Sequence, residues 1–166
     1  VGYLSSHGAG IKATALQMAA FVSALANGGK LYYLQYPRTT EEMLSFYPRL
    51  KRKLMISKYL PKIRDAMAAT VLYGTGSIAY DYDHTIYGKT GTCSEKRIRL
   101  GWFISHADSQ NPKYVVIVLL RGNKRIRGVN DGPSAARIAG QIYLNLNHDQ
   151  SIPSPFVELS LQRHPP

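Results

Sequence analysis

The segment best equipped for chemistry is Tyr87-Gly-Lys-Thr-Gly-Thr-Cys93. A Gly-Lys-Thr string suits a phosphate-binding loop only if another glycine stands five residues before the second one and a helix follows. That position is Asp83, an anion where phosphates would sit, and Thr92 leads into Cys-Ser and then the strand-like Leu100-Gly-Trp-Phe-Ile-Ser105. The phosphate loop is set aside. In an extended strand, Thr90 and Thr92 point to one side, so two hydroxyls can converge on one carboxylate. Gly91 between them lets another backbone lie close along the strand. The tripeptide alone identifies no function, and its surroundings must decide.

Other reactive groups offer less. Cys93 is the only cysteine, so there is no disulfide framework, and a lone thiol in a β pattern is expected to be a packed small hydrophobe. His7, His84, His106, His148 and His164 show no ligand spacing with one another or with Cys93, so no metal and no cofactor is expected. The net charge is +11, with basic clusters at Lys51-Arg52-Lys53, at Lys96-Arg97 with Arg99, and from Arg121 through Lys124, Arg125 and Arg127. Such a surface attracts anionic partners. No zinc-finger or RNP-like motif accompanies it, so nucleic acid is not expected.

With 166 residues, 45% hydrophobic and 19% charged, the chain suits one globular domain. The longest apolar run, Tyr114 to Leu120, fits a buried strand and not a bilayer span. Val1 is not a start methionine, which fits a processed chain or a part of something longer. Thr14-Ala-Leu-Gln17 forms a capping box for a helix to about Ala26, ended by Asn27-Gly28-Gly29. Being apolar on nearly all sides, this helix is expected to be buried on most of them. Leu31 to Leu34 is a short strand candidate, and Pro37 to Lys53 reads as surface loop.

A second helix is expected from Ser57 or Pro61 to Leu72, broken by Gly74-Thr75-Gly76-Ser77. Strands follow at Thr85–Cys93, Arg99–Ser105 and Lys113–Arg121, the last two as an antiparallel hairpin. Val115 to Leu120, apolar on both faces, has the mark of a central strand. A closing helix starts at Gly132-Pro133 with a core stripe of Ala135, Ile138, Ala139, Ile142 and Leu146. Residues 1–147 form the expected domain and 148–166 a proline-containing tail. The order implies an α+β class, an antiparallel sheet packed against helices.

Three further stretches make the Lys-Thr-Gly-Thr strand specific. Gly8-Ala-Gly-Ile-Lys-Ala-Thr-Ala-Leu-Gln-Met-Ala-Ala20, continuing to Ala26-Asn-Gly-Gly29, resembles the glycine-led turn and Thr-Pro-Leu-Gln helix of class B penicillin-binding proteins. Val71 through Gly74-Thr-Gly76 and Ala79 resembles that family's Gly-Thr-Gly segment, and the strands and helix after the motif also match, over about residues 5 to 146. The resemblance implies part of the penicillin-binding transpeptidase fold. It also implies a parent that crosslinks peptidoglycan stem peptides through a serine acyl-enzyme, with D-Ala-D-Ala ends and β-lactams as ligands. Lys89 would then be the electrostatic partner beside the serine, Thr90 and Thr92 the carboxylate ligands, Gly91 the point of close approach, and the Thr92 N–H half of the oxyanion hole.

The departures matter equally. Ala15 replaces the family's usual proline, and Cys93 stands where alanine is common. No serine is followed three places later by lysine, and Ser109-Gln-Asn111 fits the family's Ser-x-Asn only by letter. The chain is therefore expected to be inactive alone and to need the upstream half of the same domain as its partner. The parent is expected on the outer, periplasmic side of the cytoplasmic membrane, with a membrane anchor this segment lacks. Two alternatives are a β-lactamase or β-lactam sensor, and a non-catalytic basic module binding an anionic polymer.

Overall fold

A computed structural model of the chain describes residues 2, 11–95, 97–108, 114–123 and 128–148. Helix α1 (Ala15–Ala26) begins as its capping box dictates: the Thr14 hydroxyl accepts from the Gln17 N–H at 3.2 Å, and the Gln17 amide oxygen accepts from the Thr14 N–H at 2.9 Å. It ends on Gly28 and Gly29, with φ of +85° and +95°, which a side chain would resist. The Arg64 guanidinium donates to the Ala26 carbonyl at 3.1 Å, satisfying an end group of the helix.

Strand β1 (Lys30–Tyr32) pairs antiparallel with β2 (Leu50–Lys53) as a two-stranded ribbon. Between them lies a short helix, α2 (Thr40–Leu44), whose N-cap Thr39 accepts from the Glu42 N–H. The segment from Pro37 to Lys53, expected as loop, thus carries a helix and a strand. All four residues of β2 are exposed, so no apolar alternation marked it. The first strand is also shifted, to Lys30–Tyr32 from the expected Leu31–Leu34.

After a 3-10 turn at Ser57–Tyr59 comes α3 (Leu60–Leu72), and a second such turn occupies Ser77–Ala79. Strands β3 (Ile86–Glu95), β4 (Ile98–Ala107) and β5 (Val115–Asn123) form an antiparallel sheet in the order β3-β4-β5. The expected hairpin of the last two strands is present. The central strand is β4, however, and β5 lies at an edge among the described residues.

The closing helix α4 (Gly132–His148) covers one sheet face, where Ile86, Phe103, Val118, Ala135, Ala139 and Tyr143 form the main core. Tyr143 is 1% exposed, and its hydroxyl pairs with the Ser105 hydroxyl at 3.0 Å. Burial pushes the Tyr143 phenol up to about 12. The α4 stripe is rotated from the expected one: Ala136 and Tyr143 are buried, whereas Ile138 and Ile142 are 38% and 36% exposed. Alanines at 135, 136 and 139 let the helix sit close to the sheet, which turns both isoleucines outward. Residues beyond His148, the expected tail, lie outside the described residues.

On the opposite face, by strand alternation, Tyr87 and His106 stack at 4.9 Å. Tyr87 also packs beside a second core of Leu25, Leu60 and Met67. Helix α1 buries Val22, Ala24, Leu25 and Ala26, but Leu16 and Phe21 are 66% and 43% exposed. The expectation of burial on most sides fails because nothing described covers the outer half of this helix.

Candidate active-site strand

The Lys-Thr-Gly-Thr segment lies within β3, at the outer edge of the sheet. Its cross-strand partners are Ile104 for Lys89, Phe103 for Thr90, Trp102 for Gly91 and Gly101 for Thr92. Alternation puts Thr90 and Thr92 on the α4 side, with Phe103, and Lys89 and Gly91 on the other. Lys89 is exposed, and its ammonium donates to the Thr90 carbonyl oxygen at 2.8 Å.

Two neighbouring turns hold the threonines. The Thr90 hydroxyl hydrogen-bonds the Thr75 hydroxyl, which the turn after α3 presents. The Thr92 hydroxyl accepts from the Gly132 N–H at 2.9 Å, at the first turn of α4. The two hydroxyls thus share a side, as the spacing requires, while each has its own partner within the chain. A third contact joins the sheet to the same turn: the Arg99 guanidinium stands 3.7 Å from the Asp131 carboxylate. The Ser134 hydroxyl and N–H both donate to Asp131, at 2.7 and 3.0 Å. These bonds, the hydroxyl's foremost, hold the Asp131 carboxyl below its usual range, and Arg99 adds to the effect.

The glycines separate structural need from its absence. A Cβ at Gly88 would lie 2.2 Å from the Phe103 ring, one at Gly101 2.3 Å from the Asp131 carbonyl oxygen, and one at Gly132 2.8 Å from the Thr90 Cβ. Each of these glycines permits a close approach within the fold. At Gly91 the nearest atom would be the Trp102 Cβ at 3.5 Å, an ordinary contact, and no positive φ is found there. Nothing within the described chain needs a glycine at 91.

Cys93 is exposed, against the expectation of a packed thiol. On β3 it shares the side of Lys89 and Gly91, which the described residues leave open towards the end of the strand. Sequence reasoning did not assign Thr75, Arg99, Asp131 or Gly132 to the site. Thr75 stood inside a Gly-Thr-Gly signal, but a hydroxyl pair across 15 residues has no local signature. Ser109-Gln-Asn111, Lys96, Lys124, Arg125 and Arg127 lie outside the described residues, as do His7 and His164. Among the described residues no group of three or more His, Cys, Asp or Glu side chains could hold a metal. No described helix is long and apolar enough to cross a membrane.

Residues 1–144 match the family described as penicillin binding protein transpeptidase domain. Stage V sporulation protein D of Bacillus subtilis (strain 168) is 30% identical over 151 residues, a match covering 83% of this chain and 23% of that protein. Among solved structures, the transpeptidase domain of Burkholderia pseudomallei penicillin-binding protein 3 superposes with a TM-score of 0.69 at 20% identity, over 87% of this chain and 45% of that one. Penicillin-binding protein A from M. tuberculosis, solved as an imipenem acyl-enzyme complex, gives 0.63 at 22% identity, over 81% and 31%. The chain thus spans about a quarter of the curated relative and less than half of either structure. With its family match running from the first residue almost to the end of α4, the chain belongs to the penicillin-binding protein transpeptidase family.

Proposed function

We propose that this chain is the substrate-binding wall of a serine-type D,D-transpeptidase that crosslinks peptidoglycan stem peptides outside the cytoplasmic membrane, and that it is inactive without the upstream half of its domain. In this reading a serine from that half is acylated by the penultimate D-alanine of a stem peptide. The acyl group then passes to an amine of a neighbouring strand. A β-lactam mimics the D-Ala-D-Ala end and traps the acyl-enzyme. The parent is anchored to the membrane through a segment outside this chain.

Lys89 supplies positive charge beside the serine and the substrate carboxylate. Thr90 and Thr92 offer hydroxyls to that carboxylate, exchanging their present partners Thr75 and Gly132 N–H for it or sharing them. The Thr92 N–H donates to the oxyanion, where a positioned donor contributes about 3 kcal/mol or a hundred-fold in rate. The observation that carries the reading is Gly91: on an edge strand beside the exposed Lys89, a Cβ there would meet only the Trp102 Cβ at 3.5 Å, an ordinary contact, so the fold itself does not call for a glycine. A glycine without a structural reason suits a substrate backbone lying along the strand.

Lys89→Ala tests the reading in the chain joined to its upstream sequence, with Lys62→Ala on the exposed face of α3 as the control. Second-order acylation by a fluorescent penicillin is expected to fall about a hundred-fold for Lys89→Ala and to stay depressed in high salt. Surface steering, by contrast, fades with screening over about 8 Å at physiological ionic strength. Equal, salt-sensitive losses at both lysines would reject the assignment.

A further inference from the structure

The Gly74-Thr75-Gly76 turn meets the candidate site through one side chain, Thr75. Its glycines are there for packing. A Cβ at Gly74 would lie 2.9 Å from the Thr70 Cα and carbonyl oxygen, which are backbone atoms of α3. One at Gly76 would lie 3.0 Å from the Phe103 ring and 3.3 Å from the Thr70 carbonyl oxygen. The Gly76 N–H also donates to that carbonyl at 3.0 Å, and the Ser77 N–H to the Gly74 carbonyl at 3.1 Å. The turn is therefore pressed between the last turn of α3 and Phe103, which is 0% exposed and stands opposite Thr90 in the sheet.

Thr75 differs from both glycines. It is exposed, so burial does not oblige its hydroxyl to find a partner within the chain. That hydroxyl nevertheless meets the Thr90 hydroxyl. The direction of this bond decides what Thr90 can do, because a threonine hydroxyl has one proton and two lone pairs. If Thr90 donates to Thr75, no proton is left for a carboxylate. If Thr75 donates to Thr90, the Thr90 proton is free to point outward, and a chain of two hydroxyls ending on an anion strengthens each bond in turn. The second threonine shows the same arrangement with no choice of direction. The Gly132 N–H can only donate, so the Thr92 hydroxyl accepts from it at 2.9 Å and keeps its own proton for another acceptor.

We propose that Thr75 is a positioning residue of the candidate site: it donates to the Thr90 Oγ1, fixes the Thr90 side chain and turns its proton toward the substrate carboxylate. The proposal rests on the transpeptidase reading, since only there is Thr90 a carboxylate ligand. The test uses the chain joined to its upstream sequence and a fluorescent penicillin. Rapid mixing separates the dissociation constant of the initial complex from the limiting acylation rate.

Thr75→Val is expected to raise the dissociation constant about five-fold and to leave the limiting rate within about two-fold. Thr75→Ser keeps the hydroxyl and should bind within about two-fold of the unaltered domain. Thr75→Ala repeats the removal with a smaller side chain, and urea unfolding of each variant confirms that the assayed domain is folded. In a Thr90→Val background, Thr75→Val should add less than about two-fold, since no hydroxyl is left to orient. Equal losses with and without the Thr90 hydroxyl would overturn the proposal and leave the transpeptidase reading standing. So would a loss as large in Thr75→Ser, a loss confined to the limiting rate, or no loss in any Thr75 variant. A complete domain that the penicillin does not acylate would overturn that reading, and the proposal with it.

Discussion

Replacing Gly101 by alanine would place a methyl carbon 2.3 Å from the Asp131 carbonyl oxygen, with the Asp131 carbonyl carbon and Cα at 2.4 and 2.6 Å. These are backbone atoms, so no side-chain rotation relieves the clash, and the first turn of α4 has to move by about 1 Å to restore an ordinary contact. That movement pulls on the Gly132 N–H to Thr92 hydrogen bond at 2.9 Å and on the Arg99–Asp131 pair at 3.7 Å. Overpacking of this kind costs about 1–3 kcal/mol, and a strained, partly buried hydrogen bond adds about 1 kcal/mol. The expected loss is therefore about 2–4 kcal/mol. Gly91→Ala, ten residues away and one register step along the same strand pair, should do the opposite. Its methyl meets only the Trp102 Cβ at 3.5 Å, and alanine is favoured over glycine inside a strand by about 0.5 kcal/mol. Urea unfolding followed through Trp102, the chain's one tryptophan, reads both variants. In the complete domain, Gly91→Ala should nonetheless slow acylation, because the methyl intrudes where the substrate backbone is proposed to lie. A Gly101→Ala midpoint indistinguishable from the parent would refute the packing argument. A Gly91→Ala that unfolds as readily as Gly101→Ala would refute the claim that this glycine is free of structural duty.

Three further outcomes are expected. His106 is fully buried with neither ring nitrogen partnered, and its pKa is lowered, first by burial and also by Arg64, with the Ala107 backbone and Asp108 offsetting part of this. The folded state then binds fewer protons than the unfolded one, so stability is complete above about pH 6.5 and falls below it, by up to about 1.4 kcal/mol per pH unit; His106→Gln, followed by urea unfolding between pH 5 and 8, should remove that part of the slope. Thr75→Val should cost about 1 kcal/mol, since it strips the Thr90 hydroxyl of its partner, and an unchanged unfolding midpoint would show that the pair contributes nothing. Cys93 should react fully with a maleimide in the native protein, and Cys93→Ala should shift stability by less than about 0.5 kcal/mol; protection from labelling would restore the packed-thiol reading.

The elements with local signatures were legible in the sequence. The capping box of α1, its double-glycine stop and the antiparallel β4–β5 hairpin all follow from neighbours in the chain. The placement of Lys89 to Thr92 on a strand was legible for the same reason. What was not legible depends on distant partners. Thr75 meets Thr90 across 15 residues and Gly132 meets Thr92 across 40, and no short window records either pairing. The strand β2 was missed because three of its four residues are basic and all four are exposed, so it is held by pairing with β1 and carries no buried stripe. The Cys93 assignment failed because residue type was weighed and the open side of an edge strand was not.

The misjudged burials on α1 and β5 share one physical origin. Leu16 and Phe21 on α1 and Leu119 on β5 are apolar yet 66%, 43% and 39% exposed. Alternation along β5 puts Leu119 on the sheet face away from α4, since Val118 packs in the core beneath that helix. The edge of β5 is also unpaired among the described residues. Apolar side chains in water forgo roughly 25 cal/mol for each Å² that burial would remove from solvent. An apolar strand edge also invites another strand. A sequence records the packing of the complete domain, so an expectation drawn from it overshoots wherever the covering element lies outside the described residues. The proposed function accounts for the pattern directly: the upstream half that brings the serine is also the half that would cover these side chains. The exposure of Lys89 follows from the same reasoning. A cleft needs two walls, and a wall seen by itself is a surface.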